Sequence, residues 1–156
     1  MYDILASAIQ MADMAHRGQY DKLGLPYILH SLAVMNSVES VDEKIVAVLH
    51  DVLEDTEFSA RALLDIGIPG EHIEYVKILT RAQGEKYSHY ILRVAEDGIT
   101  ISVKIADLKD NLRLDRLYLH TEKDLKRISK YLLSYQFLMG ELRKEAYLDM
   151  VQKYGG

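Results

Sequence analysis

Apolar residues return at intervals of three and four along almost the whole chain, and this constrains the fold more than any other feature. Ile4, Leu5, Ala8, Ile9, Ala12 and Ala15 make one such stripe, ending near Gly18. Residues so spaced share one face of a helix, and a core must cover that face. From Gln19 to Leu29, Gly24 and Pro26 break the pattern and predict a loop. A short helix is expected from His30 to Val38, and another from an N-cap at Asp42 to about Glu54. Ser59 is placed to cap a helix ending at Gly67, and Pro69-Gly70 precedes one over Glu71 to Thr80. Helices near Ser88 to Glu96 and Ile99 to Leu114 flank Asp97-Gly98. Leu125, Ile128, Leu132, Tyr135, Met139, Leu142 and Ala146 then predict one long final helix. The alternation of Ile99, Ile101, Val103 and Ile105 would also suit a strand. Helix is preferred, because Ile101, Ile105, Leu108 and Leu112 continue a helical stripe. With no repeat, low-complexity tract or linker, the expectation is all-α, a single helical bundle over residues 1–156. That length suffices for one real core.

Composition narrows the chemistry. There is no cysteine, which excludes disulfides and thiolate metal sites. Any metal must take His, Asp, Glu or water as ligands. A formal charge of −5 gives no electrostatic case for nucleic-acid binding. No apolar run reaches the ~20 residues needed to span a bilayer. Met1-Tyr2-Asp3-Ile4 lacks the positive segment of a secretory signal, so the expected compartment is the cytoplasm.

Within the expected helix that ends near Glu54, His50, Asp51, Glu54 and Asp55 fall on one arc with Ala47. Ile45, Val46, Val48, Leu49, Val52 and Leu53 fill the opposite one. An amphipathic helix showing charge to water would look the same. Four acceptors without cations, however, repel one another, and a divalent cation would relieve that. Lys104, Asp107 and Asn111 likewise share an arc, opposite Ile101, Ile105, Leu108 and Leu112. His30, after the apolar Tyr27-Ile28-Leu29, adds another ligand candidate. Each signal alone has an ordinary structural explanation. The ordered set His30, His50-Asp51, Asp107 is what points to a metal site.

That order, His…His-Asp…Asp, resembles the HD-domain metal-dependent phosphohydrolases. Ala15-His16-Arg17-Gly18-Gln19, Lys22, Gly24, Pro26-Tyr27-Ile28-Leu29-His30, His50-Asp51-Val52-Leu53-Glu54-Asp55-Thr56 and Val103-Lys104-Ile105-Ala106-Asp107…Asn111 are similar to the hydrolase domain of RelA/SpoT-type alarmone enzymes, over roughly residues 2–135. The resemblance implies a single HD-domain helical bundle with His30, His50, Asp51 and Asp107 as ligands to a divalent metal, typically manganese. It implies that Glu54 and Asp55 position or deprotonate the attacking water, and that Lys22 and Asn111 lie near substrate. Arg81 could reach a phosphate, or end a helix in solvent. The implied reaction removes the 3′-pyrophosphate of guanosine tetra- or pentaphosphate. A phosphatase for nucleoside monophosphates or NADPH is the alternative, and a non-catalytic nucleotide sensor a third reading.

Asp21 stands where the longer enzymes carry Arg, and Ser31 where Pro commonly follows the ligand His. An Asp21→Arg change is therefore expected to lower the Michaelis constant for guanosine tetraphosphate by adding phosphate attraction. His16 is expected to cap or pack, and His72, His89 and His120 to lie on the surface. Tyr118, Tyr131, Tyr135 and Tyr147 read as packing or interface residues. Lys123, Lys126, Arg127 and Lys130, interrupted by Asp124, read as a solvated face.

Overall fold

Helix follows helix throughout. The computed structural model describes residues 1–117 and 121–155, which hold ten helical segments and no strand. These are α1 (Tyr2–Ala15), α2 (Ile28–Asn36), α3 (Val41–Leu49), α4 (Val52–Asp55), α5 (Ala60–Asp65), α6 (Gly70–Leu79), α7 (Tyr87–Val94), α8 (Gly98–Asn111), α9 (Glu122–Leu138) and α10 (Lys144–Tyr154). The expected all-α architecture is what forms. Residues 99–105 are helical, as the longer apolar stripe predicts. Tyr118 and His120 lie outside the described residues.

The centre of the bundle is α3. Ile45, Val46, Ala47, Val48 and Leu49 are all fully buried, and α3 packs against α1, α2, α6 and α8. A helical segment that is apolar on every side, as residues 45–49 are, must be covered on every side. Ile45→Ala should therefore cost about 2–5 kcal/mol of stability, the usual range for emptying a core site. Urea unfolding measures it, and a loss under about 1 kcal/mol would show that the core collapses into the gap.

Three expected boundaries are corrected. Ser40, not Asp42, is the N-cap of α3. Its Oγ accepts from Glu43 N–H at 3.2 Å, and its own N–H donates to Glu43 Oε2 at 2.8 Å. Asp42 instead meets His72 Nε2 at 2.9 Å, and His72 is buried rather than on the surface. Helix α3 then stops at Leu49, five residues before the expected end. The chain turns at His50 and Asp51 before α4 begins. Finally, the long C-terminal helix is two helices. Gly140, at φ +77°, follows α9; its N–H bonds to the Phe137 carbonyl, and Glu141 N–H to that of Gln136. This left-handed glycine cap closes the last turn of α9. Helix α10 folds back, stacking Tyr147 on Phe137 at 4.6 Å and setting its hydroxyl 3.1 Å from Ser134 Oγ.

Two further features frame the site. Helix α8 starts at an Asp97 cap and packs against α2, α3 and α9. Residues 19–27 close on themselves as a small hairpin-like loop, through Asp21 N–H to the Leu25 carbonyl at 2.8 Å and Tyr27 N–H to the Gln19 carbonyl at 3.0 Å. That loop delivers Tyr27 and His30 to the junction of α2, α3 and α8.

Candidate metal centre and active site

The turn that ends α3 is what aims His50 inward. Its Nδ1 lies 2.8 Å from the Ala47 carbonyl. A carbonyl only accepts, so Nδ1 carries a proton, and a neutral His50 would present its Nε2 lone pair to the centre. From α2, His30 points its Nδ1 at Asp110 Oδ2, 2.6 Å away, which leaves its Nε2 facing the same centre. From α8 comes Asp107, whose Oδ1 sits 3.1 Å from His30 Nε2 and 3.7 Å from His50 Nε2. All three residues are buried, and their ligand atoms lie within 4.8 Å of one another. Asp51 borders this triangle, with Oδ2 2.9 Å from His50 Nε2 and 3.8 Å from His30 Nε2.

These donors fit a divalent cation. The His50 Nε2 atom is buried without a hydrogen-bond partner, despite its closeness to Asp51. Two imidazole nitrogens thus converge on the carboxylates of Asp51 and Asp107, a donor set that a divalent cation would complete. Protons alone would have to charge the rings. Burial opposes that, but Asp51 and Asp107 carry His50 up to about 10. His30 is also raised, by Asp107 and Asp110 against the same burial cost. A metal takes the place of such protons when it binds. Imidazole with hard oxygen donors suits several first-row divalent ions.

The carboxylates are braced. Lys104, one turn before Asp107 on α8, sets Nζ 2.6 Å from Asp107 Oδ2. Asn111 Nδ2 donates to Asp107 Oδ1 at 2.6 Å and to its carbonyl at 3.1 Å. The Tyr27 hydroxyl donates to Asp51 Oδ2 at 2.6 Å. Burial and the Asp51 charge push that phenol far above its ordinary range, so it stays a donor.

Two cavities meet the centre from different sides. One, of about 310 Å³, runs from Asp51 and Asp107 past Glu54 and Asp55 to Arg81, Lys104 and Lys130. The other, of about 280 Å³, reaches His30 between Lys22, Arg116, Arg127 and the loop. Tyr27, Asn111 and Tyr131 line both. In the first, burial and neighbouring carboxylates raise Glu54 and Asp55 from their ordinary values. Glu54 Oε2 accepts the Arg81 N–H at 2.8 Å, which opposes that shift. That donor is the Arg81 backbone; the Arg81 guanidinium and the Lys130 ammonium form no ion pair among the described residues. Lys130 is lowered by burial and then by the cations Arg81, Arg127 and Lys104.

Every site residue expected from sequence thus lines this centre or its two cavities. Lys22 sits at the rim, its Nζ 2.9 Å from Asp124 Oδ1. His16 is buried, bonded through Nδ1 to Gln19 and packed 4.9 Å from the Tyr27 ring, in line with a packing role. Asp21 is not idle surface charge. Its Oδ1 accepts the Leu23 and Leu25 N–H groups, each at 2.9 Å, and its Oδ2 meets Arg116 at 3.1 Å. Arginine at 21 would break that turn and face Arg116, so the expected simple gain in phosphate attraction does not hold. Sequence spacing put Lys104 on the Asp107 arc without giving it a role, missed Asp110 and Arg116 as site residues, and read Arg127, Lys130 and Tyr131 as solvated or packing. Asp110 and Lys104 each lie three positions from Asp107, which was a usable signal. Arg116 lies beyond the end of α8, where no periodicity marks it.

Fold and site together define a class: an HD-type helical domain with a buried His-His-Asp centre. The chain resembles the hydrolase domain of RelA/SpoT-type enzymes. A GTP pyrophosphokinase of Streptomyces coelicolor is 34% identical over 140 residues, covering 82% of this chain. A guanosine-3′,5′-bis(diphosphate) 3′-pyrophosphohydrolase of Aquifex aeolicus is 32% identical over 136 residues, covering 79%. The matched regions make up only 16% and 19% of those two relatives. A solved metazoan ortholog of SpoT, described as hydrolysing ppGpp, superposes with a TM-score of 0.72. That match covers 97% of this chain and 93% of the other at 22% identity, and shows a shared fold. No protein-family model matches the chain. No helix among the described residues is long and apolar enough to cross a membrane.

Proposed function

We propose that residues 1–156 act as one metal-dependent phosphohydrolase domain that removes the 3′-pyrophosphate of guanosine tetra- or pentaphosphate. The observation that carries this reading is the convergence of His30, His50 and Asp107, with an unpartnered imidazole nitrogen, beside a cleft that mixes carboxylates with cations. The alarmone itself comes from the relatives, two of which are named as acting on it. Manganese, and a cytoplasmic setting, complete the reading.

His30, His50, Asp51 and Asp107 would hold the cation. When bound, such a cation acidifies a water and neutralises phosphoryl oxygens. Glu54 and Asp55 stand beside the centre, and burial and neighbouring carboxylates raise their proton affinity, which strengthens a carboxylate as a base. Lys104, Arg81 and Lys130 present positive charge to phosphates in one cavity, Lys22 and Arg127 in the other. Tyr131 lines both cavities. Asn111 acts on substrate through the orientation it gives Asp107.

The deciding experiment is a substrate panel with purified, manganese-loaded protein. Guanosine tetraphosphate, nucleoside mono- and triphosphates and NADPH are compared, with phosphate and pyrophosphate measured separately. Pyrophosphate release from the alarmone, leaving GDP, is expected. Dephosphorylation of another nucleotide, with none from the alarmone, would overturn the substrate but leave the metal chemistry standing. Glu54→Gln should retain the metal and lower the turnover number about a hundredfold, the scale of losing a general base. A near-normal rate would transfer that role to Asp55.

A further inference from the structure

A line of charged side chains runs from the 19–27 loop into the metal centre. Asp21 Oδ2 accepts from Arg116 Nη2 at 3.1 Å. Arg116 Nη1 donates to Asp110 Oδ2, the same oxygen that meets His30 Nδ1 at 2.6 Å. The three side chains are 12%, 17% and 5% exposed, in chain order from the loop inward. Arg113 also reaches Asp110 Oδ1 at 3.5 Å, but it is half exposed and bonded to Asp115 at 2.6 Å.

Burying two carboxylates and a guanidinium adds little net stability, because desolvation offsets their attraction. It does fix geometry. A carboxylate on the far nitrogen of a ligand imidazole sets the tautomer, the ring plane and the basicity of the near nitrogen. Asp110 alone could swing about its own side chain. The planar fork of Arg116, held at its other end by Asp21, removes that freedom. Asp21 is itself anchored by the Leu23 and Leu25 N–H groups. The same loop carries Tyr27, whose hydroxyl donates to Asp51 beside His50. One loop therefore braces the metal centre at two points.

We propose that Asp21, Arg116 and Asp110 are positioning residues that lock His30 in the orientation and tautomer a divalent cation requires. The inference rests on the metal reading above. It predicts that a change at position 21, outside the ligand set, alters how the metal is held.

The test titrates the full chain with Co2+ and Mn2+ and records the visible absorption of bound Co2+, which reports ligand geometry independently of turnover. Asp110→Asn and Arg116→Met should weaken binding about tenfold or more, the usual scale for such outer partners, and displace the Co2+ bands. Arg116→Lys, which keeps the charge, should recover part of the affinity. Asp21→Asn keeps an oxygen for the loop N–H groups but turns a donor toward Arg116, and should weaken binding severalfold. Wild-type affinity and spectrum in Arg116→Met and Asp21→Asn would overturn the proposal while leaving the metal centre intact. If Arg116→Met does not fold, Asp21→Asn and Arg116→Lys decide by the same criterion. Absence of Co2+ and Mn2+ binding by the wild-type chain would instead overturn the metal reading itself, and this proposal with it.

Discussion

Replacing His50 with alanine is expected to abolish metal binding and hydrolysis together. Its Nε2 is the ligand atom with no hydrogen-bond partner of its own, so its structure is explained only by what it faces. A centre built from so few protein donors cannot lose one and keep its affinity. Asp51→Ala should act in the same direction, since Asp51 Oδ2 is 2.9 Å from that nitrogen. Elemental analysis of the purified variants gives the result directly. Full occupancy in both would remove these residues from the ligand set. The fold should survive His50→Ala, because α3 is held by Ile45 to Leu49, which remain.

Lys104→Met should lower the turnover number about a hundred- to thousandfold, the range seen on removing a fixed charge or donor from a developing anion. Burial opposes the lysine charge, but Asp107, 2.6 Å away, holds it protonated well above its ordinary range. The ammonium also lies 5.2 Å over the Tyr90 ring, in a cleft it shares with Arg81 and Lys130. It thus orients Asp107 and carries its positive charge into the cleft proposed to take the substrate phosphates. If its main role is in the transition state, turnover falls more than the Michaelis constant rises. The melting temperature offers a second reading. Breaking a buried ion pair leaves Asp107 uncompensated, and a bound cation would compensate it. The loss of stability should therefore be larger in metal-free than in metal-loaded protein. Unchanged kinetics would show that Lys104 is only structural.

The helical character of this chain was legible from spacing alone, because apolar stripes at threes and fours have one economical burial. The end of α9 was not. Leu132, Tyr135, Met139, Leu142 and Ala146 keep the period across the break, yet Gly140 turns the chain and Tyr147, off that stripe, is the residue buried. A glycine among good helix formers signals a stop only when folding back covers more apolar surface than continuing. That balance is tertiary.

The metal centre divides the same way. The order His30, His50-Asp51, Asp107 and the resemblance it carries came from the sequence by itself, since ligand type and spacing are local properties. The solvated-face alternative for α8 failed for a reason no helical wheel contains: Asp107 and Asp110 lie on the side that packs against α2, and both are buried. Arg116 became a site residue only when the 19–27 loop met the end of α8. The direction of His50 depends on α3 ending one residue earlier, and the role of Asp21 on Arg116, 95 positions away. Periodicity reports which face of an element is apolar. Which polar groups are enclosed, and against whom, is decided when the elements meet.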